Sequence, residues 1–217
     1  MAFLSPEDAV RSAMEKSKEA TKPIVIADTQ DNPGAGGDSN TMGVIKALLN
    51  AKARNVAVGL ITDPASVAKA IDAGVGNSVA LELGGCASVE EDSPLVATFT
   101  VESMSDGHCQ YDGPMMNGVK VCVGPTVCLS IDGLKIVVCS EKAQMLDRNL
   151  FKLAGVIPEE MDIVVVKSSV HFRADFQPIA EDILIAKSPG PLTVDPADIA
   201  WTKLKKGIRL KPLGAEF

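Results

Sequence analysis

Two short runs, residues 24–27 and 56–61, are apolar at every position. A strand with one wet face alternates apolar and polar residues. Unbroken apolar runs of this length read as strands buried on both faces, as in a sheet covered by helices on each side. Helical segments surround them. Residues 5–20 carry Ser5 as an N-cap, Pro6 at the first helical position and Asp8 in the first turn, and Pro23 stops the pattern. Residues 41–53 return to helical spacing through Met42, Ile45, Leu48 and Leu49. Asp63-Pro64 caps a third helix, which runs through Val67 and Ile71 and ends near Gly74. The first half therefore reads strand, helix, strand, helix, strand, which argues a parallel sheet with right-handed crossovers.

The second half changes character. Residues 95–105, 119–123, 126–131 and 134–140 are short β-branched runs, separated by Asp106-Gly107, Asp112-Gly113, Asn117-Gly118 and Asp132-Gly133. Such dipeptides between strands are strong hairpin signals, so an antiparallel β-meander is expected. A short helix over 147–154, a strand over 162–167, a helical turn or two over 174–181 and a last strand over 182–186 follow. The tail 187–217, with Pro189, Pro191, Pro196 and Pro212, is expected to be irregular. The fold class is α/β: a mostly parallel sheet flanked by helices in the first half, with the meander inserted before the last strands. One domain over residues 1–217 is expected.

Composition narrows the function. Hydrophobic residues make up 46% of the 217 but aromatics only 4%, so the core is expected to be Val, Ile, Leu and Ala. The 28 acidic residues exceed the 21 Lys and Arg, for a formal charge of −7. Nucleic acid is a poor partner for such a chain, because phosphate backbones need clustered cations. The short basic run 203–209 reads as a solvated tail. No window approaches the ~18 apolar residues of a membrane span, and the residues from Met1 to Pro6 lack the features of a signal peptide. The five cysteines form no Cys-x-x-Cys pair, and Cys122, Cys128 and Cys139 lie in apolar runs. Buried reduced thiols and a cytoplasmic location are expected.

Two segments could carry chemistry. Asp28-Thr-Gln-Asp-Asn-Pro-Gly-Ala-Gly-Gly-Asp-Ser-Asn follows the first buried strand. In open α/β sheets, ligands bind at the carboxyl ends of strands. Gly34, Gly36 and Gly37 permit positive φ and close backbone approach. Yet Asp28, Asp31 and Asp38 would repel a phosphate, and no Gly-Lys-Ser/Thr follows. Carboxylates that bind a metal, a substrate amine or a partner's cation suit the loop better. The plainer reading is that Asp28 and Asp31 make Asx turns and that Asp38 or Ser39 caps the next helix. The second segment, Lys167-Ser-Ser-Val-His-Phe-Arg, offers three donors at Lys167, His171 and Arg173. His171 could be a general base, an oxyanion donor or a metal ligand. Arg173 suits bidentate carboxylate binding, of substrate or of Asp28 or Asp31. Cys86 and His108 are weaker candidates, with no partner evident in sequence.

Together these segments resemble the microcystinase C (MlrC) family of zinc metallopeptidases. Residues 27–39 are similar to its D-x-x-D-N-P-G-G-G-x-x-G-D motif, although the loop here is shorter. Asp63-Pro64-x-x-Val67, Ala73-Gly74-Val75-Gly76, Leu83-Gly84-Gly85, Gly124-Pro125-Thr126, Val166-Lys167-Ser168, His171-Phe172-Arg173 and Ser188-Pro189-Gly190 continue the likeness in order. The resemblance is to the family's C-terminal domain alone, which implies a fragment, an isolated domain or a split subunit. It implies a hydrolase of peptide or amide bonds, with zinc held by a separate N-terminal metal-binding domain and none by this chain, which is expected to be inactive alone. That agrees with a stock of only two histidines, His108 and His171. On this reading His171, Arg173 and Lys167 are catalytic. Asp28, Asp31, Asn32, Gly34, Gly36, Gly37 and Asp38 bind a small peptide-like substrate. A homo-oligomer remains open. The alternatives are a non-catalytic assembly module that docks a partner domain through the glycine loop, and a self-sufficient hydrolase with a metal on Asp28, Asp31 and His171.

Overall fold

A computed structural model describes residues 3–216. The outer limits of the expected domain, and the first residues of the amino terminus, lie outside the described residues. Strands β1 (Phe3–Leu4), β2 (Ile24–Asp28), β3 (Val56–Thr62), β4 (Ser78–Leu83), β5 (Leu95–Ser105), β8 (Thr126–Ile131), β9 (Leu134–Cys139), β10 (Ile163–Lys167) and β11 (Asp182–Ala186) form one nine-stranded sheet. Their spatial order is β1-β11-β2-β10-β3-β9-β8-β5-β4. All neighbours from β1 to β9 run parallel, and β9, β8, β5 and β4 are antiparallel. β6 (His108–Gln110) and β7 (Lys120–Cys122) make a separate two-stranded ribbon.

The α/β reading holds, with one correction of topology. The parallel strands come from both halves of the chain. β10 inserts between β2 and β3, and the third strand of the first half, β4, is an antiparallel edge. Alternation of elements reveals that strands are parallel but not which strand lies beside which. Here insertion of β10 sets Lys167 opposite Asp28 in register.

Alternate residues of the central strands face opposite layers. Ile24, Ile26, Val56, Val58 and Val165 pack under α1 (Pro6–Lys16), α2 (Gly43–Asn50) and α3 (Pro64–Ala73) through Val10, Leu48 and Val67. Val25, Ala27, Ala57, Val164 and Val166 pack on the other side against Leu150 and Phe151 of α4 (Asn149–Lys152) and Phe176 of α5 (Arg173–Phe176). The expectation of a purely aliphatic core fails in this second layer. Phe151, Phe172 and Phe176 are fully buried there, with Phe99 buried in the first layer, and Phe151 meets Phe176 edge-on at 6.1 Å.

The caps follow the local sequence. Ser5 Oγ accepts the Asp8 N–H, and Asp63 accepts both the N–H and the hydroxyl of Ser66. The Asp132-Gly133 hairpin forms between β8 and β9 with φ of 47° and 83°, the paired positive values of a tight primed turn. The thiol expectation needs amendment. Cys128 and Cys139 are buried, and burial pushes their thiols up to about 12 and about 11. Cys122, however, is exposed on the ribbon, and Cys86 is buried in its place. All five cysteines are free. No helix among the described residues is long and apolar enough to cross a membrane.

Candidate functional site

The loops after β2, β9, β10 and β11 all leave the carboxyl ends of parallel strands and gather at one edge of the sheet. Asp28 closes β2 and Lys167 closes β10. Lys167 Nζ donates to Asp28 Oδ2 at 2.8 Å, to Asp31 Oδ2 at 3.1 Å, and to the carbonyl and hydroxyl of Thr41, both at 2.7 Å. Asp31 accepts three more hydrogen bonds: from the Ser39 N–H at 2.7 Å, the Thr41 N–H at 2.8 Å and the Thr41 hydroxyl at 3.0 Å. Lysine, carboxylates and threonine are all buried.

Lys167, Asp28 and Asp31, expected as catalytic and substrate-binding groups, are buried in contact with one another. They are closed on one another under the loop. The arrangement solves an electrostatic problem: a buried ion must find its counter-charge nearby or lose its charge. Burial alone would lower the Lys167 ammonium, but two carboxylates outweigh it and hold its pKa above the ordinary lysine value. Burial also opposes the Asp31 charge, yet Lys167 and the Thr41 and Ser39 N–H groups hold its carboxyl below the usual range. Asp28 goes the other way. Its burial exceeds the pull of Lys167, and the nearby Asp31 charge adds to the upward shift. Asp28 Oδ1 also lacks a hydrogen-bond partner. The two carboxylates beside one lysine are thus shifted in opposite directions.

The glycine loop is shaped by this anchor. Pro33–Ala35 make a 3-10 turn, with Asn32 Oδ1 accepting the Gly34 N–H at 3.0 Å and Gly36 ending it at φ 100°. Of the three glycines expected to use positive φ, only Gly36 does so. Gly37 is needed for close approach instead, because a Cβ there would lie 2.8 Å from the Asn32 backbone nitrogen. Neither Asp38 nor Ser39 caps α2. Asp38 pairs at the surface with Lys142 at 2.7 Å, and Ser39 donates to the Leu60 carbonyl. The free N–H of Met42 at the start of α2 is taken by Asp92 Oδ1 at 3.0 Å, so a protein carboxylate occupies the anion position there.

Beside the buried cluster lies a polar network that runs from the buried Asn32 and Ser168 to the exposed His171. Asn32 Nδ2 donates to Ser169 Oγ at 2.9 Å. Gln144 Nε2 donates to Ser168 Oγ at 3.0 Å, and Gln144 Oε1 lies 3.1 Å from His171 Nδ1. His171 is exposed and Arg173 half-buried, its guanidinium 5.5 Å from the Phe172 ring centre. Lys167 fills the place beside Asp28 and Asp31 that was expected for Arg173. Gln30 straps the tail to the loop, donating to the Ser188 carbonyl at 2.8 Å and accepting the Leu192 N–H at 3.0 Å. A cleft of about 470 Å³ lies beside it, lined by Gln30, Glu90, Glu91, Lys187 and Asp198. Thr41, Asp92 and Gln144 were missed in sequence. They act on partners 126, 50 and 27 residues away, and no local pattern marks them.

Among the described residues, no group of three or more His, Cys, Asp or Glu side chains could hold a metal ion. His108 sits on the ribbon beside Asp106 and Cys122, and His171 turns to Gln144. A metal on Asp28, Asp31 and His171 therefore does not fit: both carboxylates are engaged by Lys167.

A sheet of this kind, with polar loops converging at the carboxyl edge of its central parallel strands, belongs to the α/β class, in which that edge is the usual place for a ligand. Residues 26–203 match the family described as MlrC C-terminus, and the chain is a member of that family. It is 28% identical over 184 residues to Microcystinase C from Sphingomonas sp., covering 84% of this chain and 36% of the relative. Its fold superposes with a TM-score of 0.81 on a "putative metallopeptidase" from Mesorhizobium sp. BNC1, at 20% identity over all of this chain and 43% of the other. The chain thus spans well under half the length of both.

Proposed function

We propose that this chain is the C-terminal domain of an MlrC-like metallohydrolase that cleaves peptide or amide bonds. In this reading it lends substrate-contacting groups to a zinc site carried by a separate N-terminal domain. The observation that supports it best is that two polar segments within the family match meet at one edge of the sheet, with His171 exposed there. The residues here do not fit zinc, so no metal step is assigned to them.

The rim residues take the direct roles. His171 exchanges a proton with the reacting groups or donates to developing negative charge. Arg173 holds a substrate carboxylate. Asn32, Asp38 and the exposed backbone around Gly34 and Gly36 contact the peptide-like substrate. Lys167, Asp28, Asp31 and Gly37 serve by holding the loop that presents them.

In the longer polypeptide that this reading requires, His171→Ala is expected to lower turnover of a peptide substrate roughly a hundredfold with bound zinc unchanged. The 217-residue chain alone, supplied with zinc, is expected to hydrolyse nothing. Robust zinc-dependent hydrolysis by the chain alone would sink the divided site. Val170, 61% exposed next to His171, favours a second reading in which this edge docks a partner domain. In that case Val170→Asp and His171→Ala weaken assembly, and turnover per complex formed stays normal.

A further inference from the structure

Resting on that reading of the carboxyl edge, we infer that Gln144 is a positioning residue. It holds His171 as the Nδ1–H tautomer and so leaves Nε2 as the ring's proton-accepting atom.

The Gln144 amide lies between two partners. Its nitrogen donates to the buried Ser168 hydroxyl at 3.0 Å, and its oxygen faces His171 Nδ1 at 3.1 Å. An amide oxygen only accepts, so in this orientation Nδ1 must carry the imidazole proton. Nε2 then keeps its lone pair, which is what a proton acceptor at an exposed rim needs. With the amide reversed, Nδ1 would be bare and Nε2 protonated, so the tautomer reports directly which orientation exists.

The surroundings are arranged to admit this side chain. Gly34 lies over the amide, and a Cβ there would stand 2.2 Å from Gln144 Oε1 and 2.5 Å from its Cδ. The glycine of the loop thereby gains a reason that backbone torsion does not supply. On the other side, Asn32 grips the same turn through Ser169. Side chains from two loops thus hold residues 168–171 at the end of β10. Gln144 lies outside every motif quoted for the family resemblance.

The chain has two histidines, so its imidazole signals are readily assigned, and His108 serves as an internal control. The test is a long-range proton–nitrogen NMR spectrum of the 217-residue chain, recorded along a pH series and read on its alkaline plateau. His171 is expected to show a protonated Nδ1 and a bare Nε2. Gln144→Leu removes the acceptor and should move His171 to a mixture or to the Nε2–H form. Gln144→Glu keeps an accepting oxygen and should keep Nδ1–H. Gly34→Ala should displace the amide and behave like Gln144→Leu, which covers the case in which the leucine variant does not fold. His108 should be unchanged throughout. An unsubstituted His171 found as Nε2–H, or an Nδ1–H form that survives both Gln144→Leu and Gly34→Ala, overturns the assignment. The tautomer is read without turnover, so its failure is separable from failure of the hydrolase reading.

Discussion

Asp28 at the end of β2 and Asp31 three positions on in the following loop bind the same lysine, yet they are not equivalent. Asp31 accepts from four groups, and Asp28 from Lys167. An amide in place of Asp31 would face donors on all sides. Asp31→Asn is therefore expected to cost about 3 kcal/mol in urea unfolding and Asp28→Asn about 1 kcal/mol or less. Equal costs would mean that the two carboxylates share the lysine evenly. The pH dependence follows the same division. The Asp31 carboxyl is depressed in the fold, so its contribution is complete above the unfolded value, ~3.9, and is lost as pH falls through the lower folded value. Asp28 is raised, so it works in reverse, costing stability as it ionises. Lys167 is raised, so its contribution persists up to about pH 10.4 and fades only as pH climbs through the folded value. Asp31→Asn should flatten the loss of stability below about pH 4, and an unchanged acid limb would count against this account. None of this was legible in the loop itself. Three aspartates among glycines declared an acidic site, and the lysine that two of them bind is 136 residues beyond Asp31.

At the scale of elements, local chemistry was the better guide. Ser5 and Asp63 cap the helices that they precede, and the Asp132-Gly133 turn lies between the strands that it predicts. Asp63 also reaches outside its own helix, because its Oδ2 accepts the Gly84 N–H at 2.9 Å. Asp63→Ala should cost about 2 kcal/mol, the upper end for a cap, since it strands a second N–H. Asp63→Ser should recover only the capping share. A loss of a few tenths of a kcal/mol would show that the Gly84 bond contributes nothing. Where reading by element failed, the cause was a partner from elsewhere. The start of α2 was assigned to Asp38 or Ser39, but Asp92 took the Met42 N–H and Asp31 took the Ser39 N–H. A capping residue cannot be told from an anchoring one when the competing acceptor is distant in sequence.

The whole molecule ties both faces of one sheet together. Leu48 packs in the layer above β2 and β3, Phe151 in the layer below, and both are fully buried. Leu48→Ala and Phe151→Ala should each cost about 3 kcal/mol or more and shift a single common unfolding transition. Separate transitions for the two layers would show that the sheet does not couple them. The sequence by itself determined the class of fold, most strand positions, the caps of α1 and α3 and the two polar segments that meet at the carboxyl edge. Those depend on periodicity and on hydrogen bonds that close within a few residues. Tertiary structure decided the order of strands, and with it which charged groups are scaffold and which are exposed. Placing β10 between β2 and β3 buries Lys167 against Asp28 and Asp31 and leaves His171 at the rim beside Gln144. A buried charge needs a counter-charge within a few ångströms, and only strand order, a long-range property, sets which side chains come that close.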